Sequence, residues 1–168
     1  MTRFRWSCVV VTAFVAVVTG IALAASDGRA SASVRGGHVR TTTIRFRAHE
    51  VLKPRFIDSA PPAGPSSGDE VTEKEILYSH GERIGYDLLH ATAVTVNQAT
   101  QTVDVLAEGV LVLKHGTINF QGETTFRHIQ VGVIGGTRAY QHVMGQLTIL
   151  RTLPNGDDID VVRFVHVD

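Results

Sequence analysis

Cysteine is nearly missing from this chain. The single one, Cys8, lies in an uncharged run near the start, so the remainder has no thiol pair to cross-link and must be held by its core. An excess of basic charge is missing too. Lysine plus arginine equals aspartate plus glutamate at 16 each, which removes the electrostatic footprint that nucleic-acid binding needs. No segment carries sustained helical periodicity with caps at both ends; Thr137 to Met144 could supply two turns at most. The glycines from Gly132 read G-V-I-G-G-T, which is not the dinucleotide spacing, and no Gly-Lys-Ser/Thr ending of a phosphate loop occurs. The eight histidines show no H-x-H or H-E-x-x-H spacing. Asn155-Gly156-Asp157-Asp158-Ile159-Asp160 imitates a calcium loop but lacks its glutamate at the twelfth position, and reads as a hairpin with acidic decoration. These absences assign the chain no cofactor, no metal and no nucleic-acid partner.

What is present begins with a leader. Arg3 and Arg5 precede an uncharged run from Ser7 to Ala25, and Ala22-Leu23-Ala24 supplies the small residues of a cleavage site. Residues 1–24 therefore read as a secretory signal peptide. The run is also near the length of a membrane span, so an uncleaved anchor is the alternative, and a membrane is a partner only in that case. Either reading places the domain in a secreted or extracytoplasmic location. Without Arg3 and Arg5, 14 basic residues face 16 acidic ones, a formal charge of −2. Residues 25–40 are small and polar and read as a short disordered spacer.

From residue 41 to 168 the text changes to alternating apolar and polar residues broken by turn residues. Eight strands are expected: Thr42–Glu50, Asp69–Ser79, Arg83–Val96, Thr102–Leu113, Thr117–Phe126, Ile129–Ile134, Gly145–Thr152 and Ile159–Val167. His80-Gly81, His115-Gly116 and Asn155-Gly156 are hairpin signals, the last of type I′. Val51 to Gly68 is a long loop stiffened by Pro54, Pro61, Pro62 and Pro65. The pattern predicts an all-β sandwich or closed barrel. On the first strand Ile44, Phe46, Ala48 and Glu50 share one face, and Arg45, Arg47 and His49 the other. The sequence leaves open which face turns inward.

The ordered marks Gly68-Asp69, Arg83-Ile84-Gly85, Gln121-Gly122, Gly135-Gly136-Thr137, Tyr140 and Gly145-Gln146 resemble the allene oxide cyclase and dirigent-like barrels over Thr42 to Val167. The resemblance implies an eight-stranded antiparallel, calycin-like β-barrel with a lumen open at one end, preceded by the signal peptide and spacer. It implies a small hydrophobic molecule as partner and a homo-oligomer, a dimer or trimer. Plant cyclases of this kind close a fatty-acid-derived epoxide, and dirigent proteins steer phenolic coupling or cyclisation. The Glu-Ile-Asn segment of those cyclases falls on Arg47-Ala48-His49 here, and a cysteine some of them carry falls near Ala91. Where many dirigent-like members have Ala-Arg-Gly, this chain has Val143-Met144-Gly145. The departures from the plant cyclases weigh against allene oxide cyclisation itself, and Met144 in place of the arginine takes away any anion contact that the arginine makes in dirigent-like members.

The candidate catalytic groups are Glu50, Asp58 and Glu108. Glu50 ends the first strand beside the segment that aligns with the cyclase carboxylate. Asp58 sits in the proline-rich loop at the expected mouth, where it is a general acid or base, or else a solvated turn residue. Glu108 interrupts the apolar stripe of Leu106, Val110 and Val112, either buried with a raised pKa or outward and paired. The candidate ligand-binding groups are Arg47, His49, His90 and Tyr86, each with a plain alternative as a solvated or core-packing residue. Whether the chain is an enzyme is left open. The expectations in order are a steering barrel, a cofactor-free cyclase or isomerase, and a filled barrel acting as a surface oligomer.

Overall fold

The computed structural model describes residues 40–60, 64–100, 102–126 and 128–166. The expected signal peptide and nearly all of the expected spacer lie outside them. Nine strands follow in chain order: β1 (Arg40–Glu50), β2 (Arg55–Ile57), β3 (Glu70–Ser79), β4 (Glu82–Asn97), β5 (Thr102–Leu113), β6 (Gly116–Thr125), β7 (Gln130–Gly136), β8 (Val143–Thr152) and β9 (Asp158–His166). One 3-10 turn, Arg138–Tyr140, separates β7 from β8, shorter than the two helical turns the sequence allowed. All pairings are antiparallel, in the order β1-β9-β8-β7-β6-β5-β4-β3, and β1 pairs with β3 to close the ring. Eight strands thus form a closed barrel. Closure leaves almost no free edge, which a single antiparallel sheet of this length would otherwise expose.

The seam explains the ninth strand. β1 pairs only with the second half of β3, from Arg47↔Tyr78 to Glu50↔Glu75. Past Glu50 the chain leaves the wall, and β2 takes the same edge of β3 from Arg55↔Thr72 to Ile57↔Glu70. The proline-rich loop is fastened here by Asp69. Its carboxylate accepts the Ser59 and Ser66 N–H groups at 2.9 and 2.7 Å and both hydroxyls at 3.0 and 2.7 Å. Those bonds, led by the Ser59 amide, hold the carboxyl down at about 2. The Gly68-Asp69 mark is therefore a loop anchor, with Gly68 at φ 92°.

The inward face of β1 is the apolar one. Phe46 and Ala48 are buried while Arg45, Arg47 and His49 are exposed, which settles the alternation that the sequence left open. One end of the barrel is packed shut. Leu77, Leu111, Ile118, Val143, Val162 and Phe164 are all but fully buried there, each contributing roughly 1.5–3 kcal/mol. The Tyr140 ring meets Phe164 edge-on at 5.9 Å, so the 3-10 turn acts as a plug beside this core. His80-Gly81 makes the expected tight hairpin, with φ 51° and 82°. The β8–β9 hairpin differs from the expected type I′. Pro154 and Asn155 occupy a turn closed by Gly156 N–H to Leu153 C=O at 2.9 Å, and only Gly156 has positive φ, at 92°. Pro154 imposes negative φ on the first central position, which a type I′ turn cannot accept.

Candidate functional site

At the other end the lumen wall turns acidic. Side chains on alternate positions face inward, so β3 presents Val71, Glu73, Glu75 and Leu77. β4 presents Asp87, Leu89, Ala91 and Ala93, and β9 presents Asp158, Asp160, Val162 and Phe164. Strand pairing brings the carboxyls into one arc. Glu75 lies across from Asp87, Glu50 across from Glu75, Asp158 across from Ala48 and Asp160 across from Phe46. The Asp87 carboxylate accepts the Glu75 N–H at 3.0 Å. Further along the inward face of β4 and β5, Ala91, Ala93 and Ala107 are buried with short side chains. Glu73, Glu75 and Asp158 are half-buried, so this end is reached by solvent.

Burial in mutual proximity makes the arc hard to ionise. Desolvation, helped by the charges of Glu50, Asp87 and Asp158, pushes Glu73 up to about 7. Desolvation with Asp158, Asp87 and Glu73 nearby pushes Asp160 up to about 8. Glu75 and Asp87 are both raised by burial, and a hydrogen bond between their side chains lets the pair share a proton. Asp158 is also raised, by burial first. At neutral pH the arc is a mixture of protonated and ionised carboxyls, the condition general acid–base chemistry requires.

The residues singled out from sequence are placed as follows. Glu50 stands on the inward face of β1 but at the rim, exposed, and joins the arc through Glu75. Asp58 is exposed just after β2, and its carboxylate accepts the Ala60 N–H at 3.3 Å as a turn residue does. Glu108 projects from the outer wall. It meets His90 Nδ1 at 3.4 Å, and His90 Nε2 meets Glu70 at 3.6 Å, within an outer groove of about 570 Å³. Glu108 and His90 are thus brought together, but outside the lumen. Tyr86 also faces outward, with the Lys74 ammonium 4.8 Å from its ring centre. Arg47 and His49 face out of the barrel and clasp Asp157 at 3.3 and 2.7 Å. That clasp, led by the His49 bond, keeps Asp157 ionised and ties the β8–β9 turn to β1.

Glu73, Glu75, Asp87, Asp158 and Asp160 escaped the sequence reading. Four of them sit two residues from an inward apolar side chain, and Asp158 sits two from Asp160, as in Asp158-x-Asp160-x-Val162-x-Phe164. Once the ring closure fixes which face is inward, that periodicity marks a strand whose inward face becomes polar toward one end.

Among solved structures the chain is similar to a pyocyanin demethylase, at 20% identity and a TM-score of 0.66, covering 73% of this chain and 99% of that one. It is similar to a pterocarpan synthase dirigent protein at 17% identity and a TM-score of 0.55, covering 76% and 95%. It is also similar to an exo-specific intermolecular Diels-Alderase at 16% identity and a TM-score of 0.59, covering 77% and 99%. No family model matches the sequence, and no curated protein does. At these identities the likeness establishes the dirigent-like barrel fold and no more.

Proposed function

We propose that this chain is an exported barrel that takes a small, largely apolar organic molecule into the open end of its lumen and steers its coupling or cyclisation. In this reading Glu73, Glu75, Asp87 and Asp160 donate and accept protons as bonds in the guest rearrange. The carrying observation is the arc of buried and half-buried carboxyls on the inward faces of β3, β4 and β9, on the same face as short alanine side chains. A charge developing on the guest meets fixed carboxyls rather than mobile water, which is where such groups act most strongly. The three similar structures named above, a demethylase, a dirigent protein and a Diels-Alderase, support small-molecule chemistry on this fold. Export rests on the leader of residues 1–24. A homo-oligomer would pack through the outer wall, where Ile134, Met144 and Leu150 are exposed.

The test is turnover of unsaturated epoxides and enones by the wild type and by the Glu75→Gln, Asp87→Asn and Glu108→Gln variants. The two lumen variants are expected to lose about tenfold or more in rate, the scale of a general acid–base contribution, while Glu108→Gln keeps its rate. Equal rates for all four proteins would remove the chemical role. Native mass spectrometry of protein from its own host is expected to show a bound small molecule.

A further inference from the structure

The arc contains one feature that acid–base work does not require. Asp160 is only 4% exposed, and its Oδ1 is buried without a hydrogen-bond partner. Asp158, on the same face, has a partnerless buried Oδ1 as well. A buried carboxyl oxygen left unpaired is costly, and either a proton on the carboxyl or an occupant that arrives with positive charge or a donor relieves it. Thr152 bonds the Asp158 carboxyl, but among the described residues no donor reaches either Oδ1. Among the described residues, lysine and arginine side chains lie on the outer wall or in loops, and Lys74, which sits between two arc residues, turns outward onto Tyr86. Facing Asp160 from β3 and β4 are Glu73, Glu75 and Asp87, with Glu50 at the rim of β1. From β9 itself comes Asp158, with His166 at the opposite, closed end of the strand. Among the described residues no three ligating side chains converge closely enough to hold one metal ion. The acids are instead spread around the wall, which suits a larger charge.

From these contacts we infer that the acidic end of the lumen is a binding site for a compact organic cation, a ring nitrogen that is alkylated or protonated, with Asp160 and Asp158 against the positive centre. This deepens the small-molecule reading and rests on it. The apolar walls of Leu89, Val105 and Phe120 would cover the ring while the arc faces the charge. Because several arc carboxyls hold protons at neutral pH, a cation entering must expel some of them to the buffer, and its affinity must rise with pH.

The experiment is calorimetry on the full chain with N-methylquinolinium and with 1-methylnaphthalene, which has the same shape without the charge. Titrations are run at pH 7.5 in phosphate and in Tris, whose ionisation heats differ, and repeated at pH 5.5. The cation is expected to bind about tenfold or more tighter than its neutral twin, with net proton release, and to weaken at pH 5.5. Asp160→Asn is expected to abolish that preference, Glu73→Gln to reduce it, and Glu108→Gln on the outer wall to leave it intact. Equal binding of the two probes, or cation binding without proton release, overturns the inference and leaves a neutral-guest lumen standing. Binding of neither probe overturns the inference, and the turnover assay then decides the broader reading separately.

Discussion

At the scale of single residues, Asp157 and Asp160 are neighbours with opposite physics. Asp157 points out of the barrel, is clasped by His49 and Arg47, and is held below the usual carboxylate range. Asp160 points in, has a partnerless oxygen, and is pushed up to about 8. Removing each charge should therefore act in opposite directions. Asp157→Asn breaks a buried charge-assisted contact and is expected to cost about 1–3 kcal/mol at pH 7 by chemical denaturation. The loss should shrink only as pH falls below the ordinary aspartate value, where the wild-type carboxyl itself takes up a proton. Asp160→Asn keeps the shape and removes a charge that burial penalises. It is expected to raise the melting temperature at pH 8.5 by more than at pH 4.5, since each unit of upward shift is worth about 1.4 kcal/mol. A variant that melts lower than wild type at pH 8.5 would contradict the buried position of that carboxyl.

At the scale of elements, the closed end depends on close backbone approaches, among them the one at Gly136. Gly136 ends β7 where an added Cβ would land on the carbonyls of Thr117 and Tyr140. Gly132, earlier on the same strand, has only ordinary contact at that position. Gly136→Ala is expected to lower stability by about 1–3 kcal/mol through displacement of the plug, and Gly132→Ala to change it little, both read by thermal melts. The same strands show what could be read before folding. The eight long strands were legible because alternation on an antiparallel wall is written directly into the residues, as in Thr102–Leu113, whose bounds agree with β5. β2 was not legible, because Arg55-Phe56-Ile57 is too short to show a period and is a strand only because β3 offers it a free edge. The acidic site was partly legible. Glu50 stood out beside arginines, whereas Glu73 and Glu75 alternate with Thr72 and Lys74 and look like the wet side of a strand. Facing direction depends on where the ring closes, and no local pattern carries that information. Asp158 and Asp160 were hidden for a similar reason, since they continue an acidic turn whose first member, Asp157, does face outward.

At the scale of the whole molecule, the arc sets how stability responds to pH. Glu73 and Asp160 have folded values of about 7 and 8 against ordinary values of 4.5 and 3.8, and Glu75, Asp87 and Asp158 are raised as well. For a raised carboxyl the native state binds more protons than the unfolded chain between those two values. Stability must then fall as pH rises through that window, and level off above it. Asp69 and Asp157 work the other way, and their contribution is lost only as pH drops below the ordinary aspartate value. The raised groups outnumber the lowered ones, and they are the more deeply buried of the two sets apart from Asp157. The barrel is therefore expected to be most stable in the mildly acid range and to melt several degrees lower at pH 8.5 than at pH 5, as followed by calorimetry. A melting temperature that rises steadily from pH 5 to pH 8.5 would mean that the arc is already paired with positive charge, and the lumen would then have to be redrawn with a cation as part of its wall.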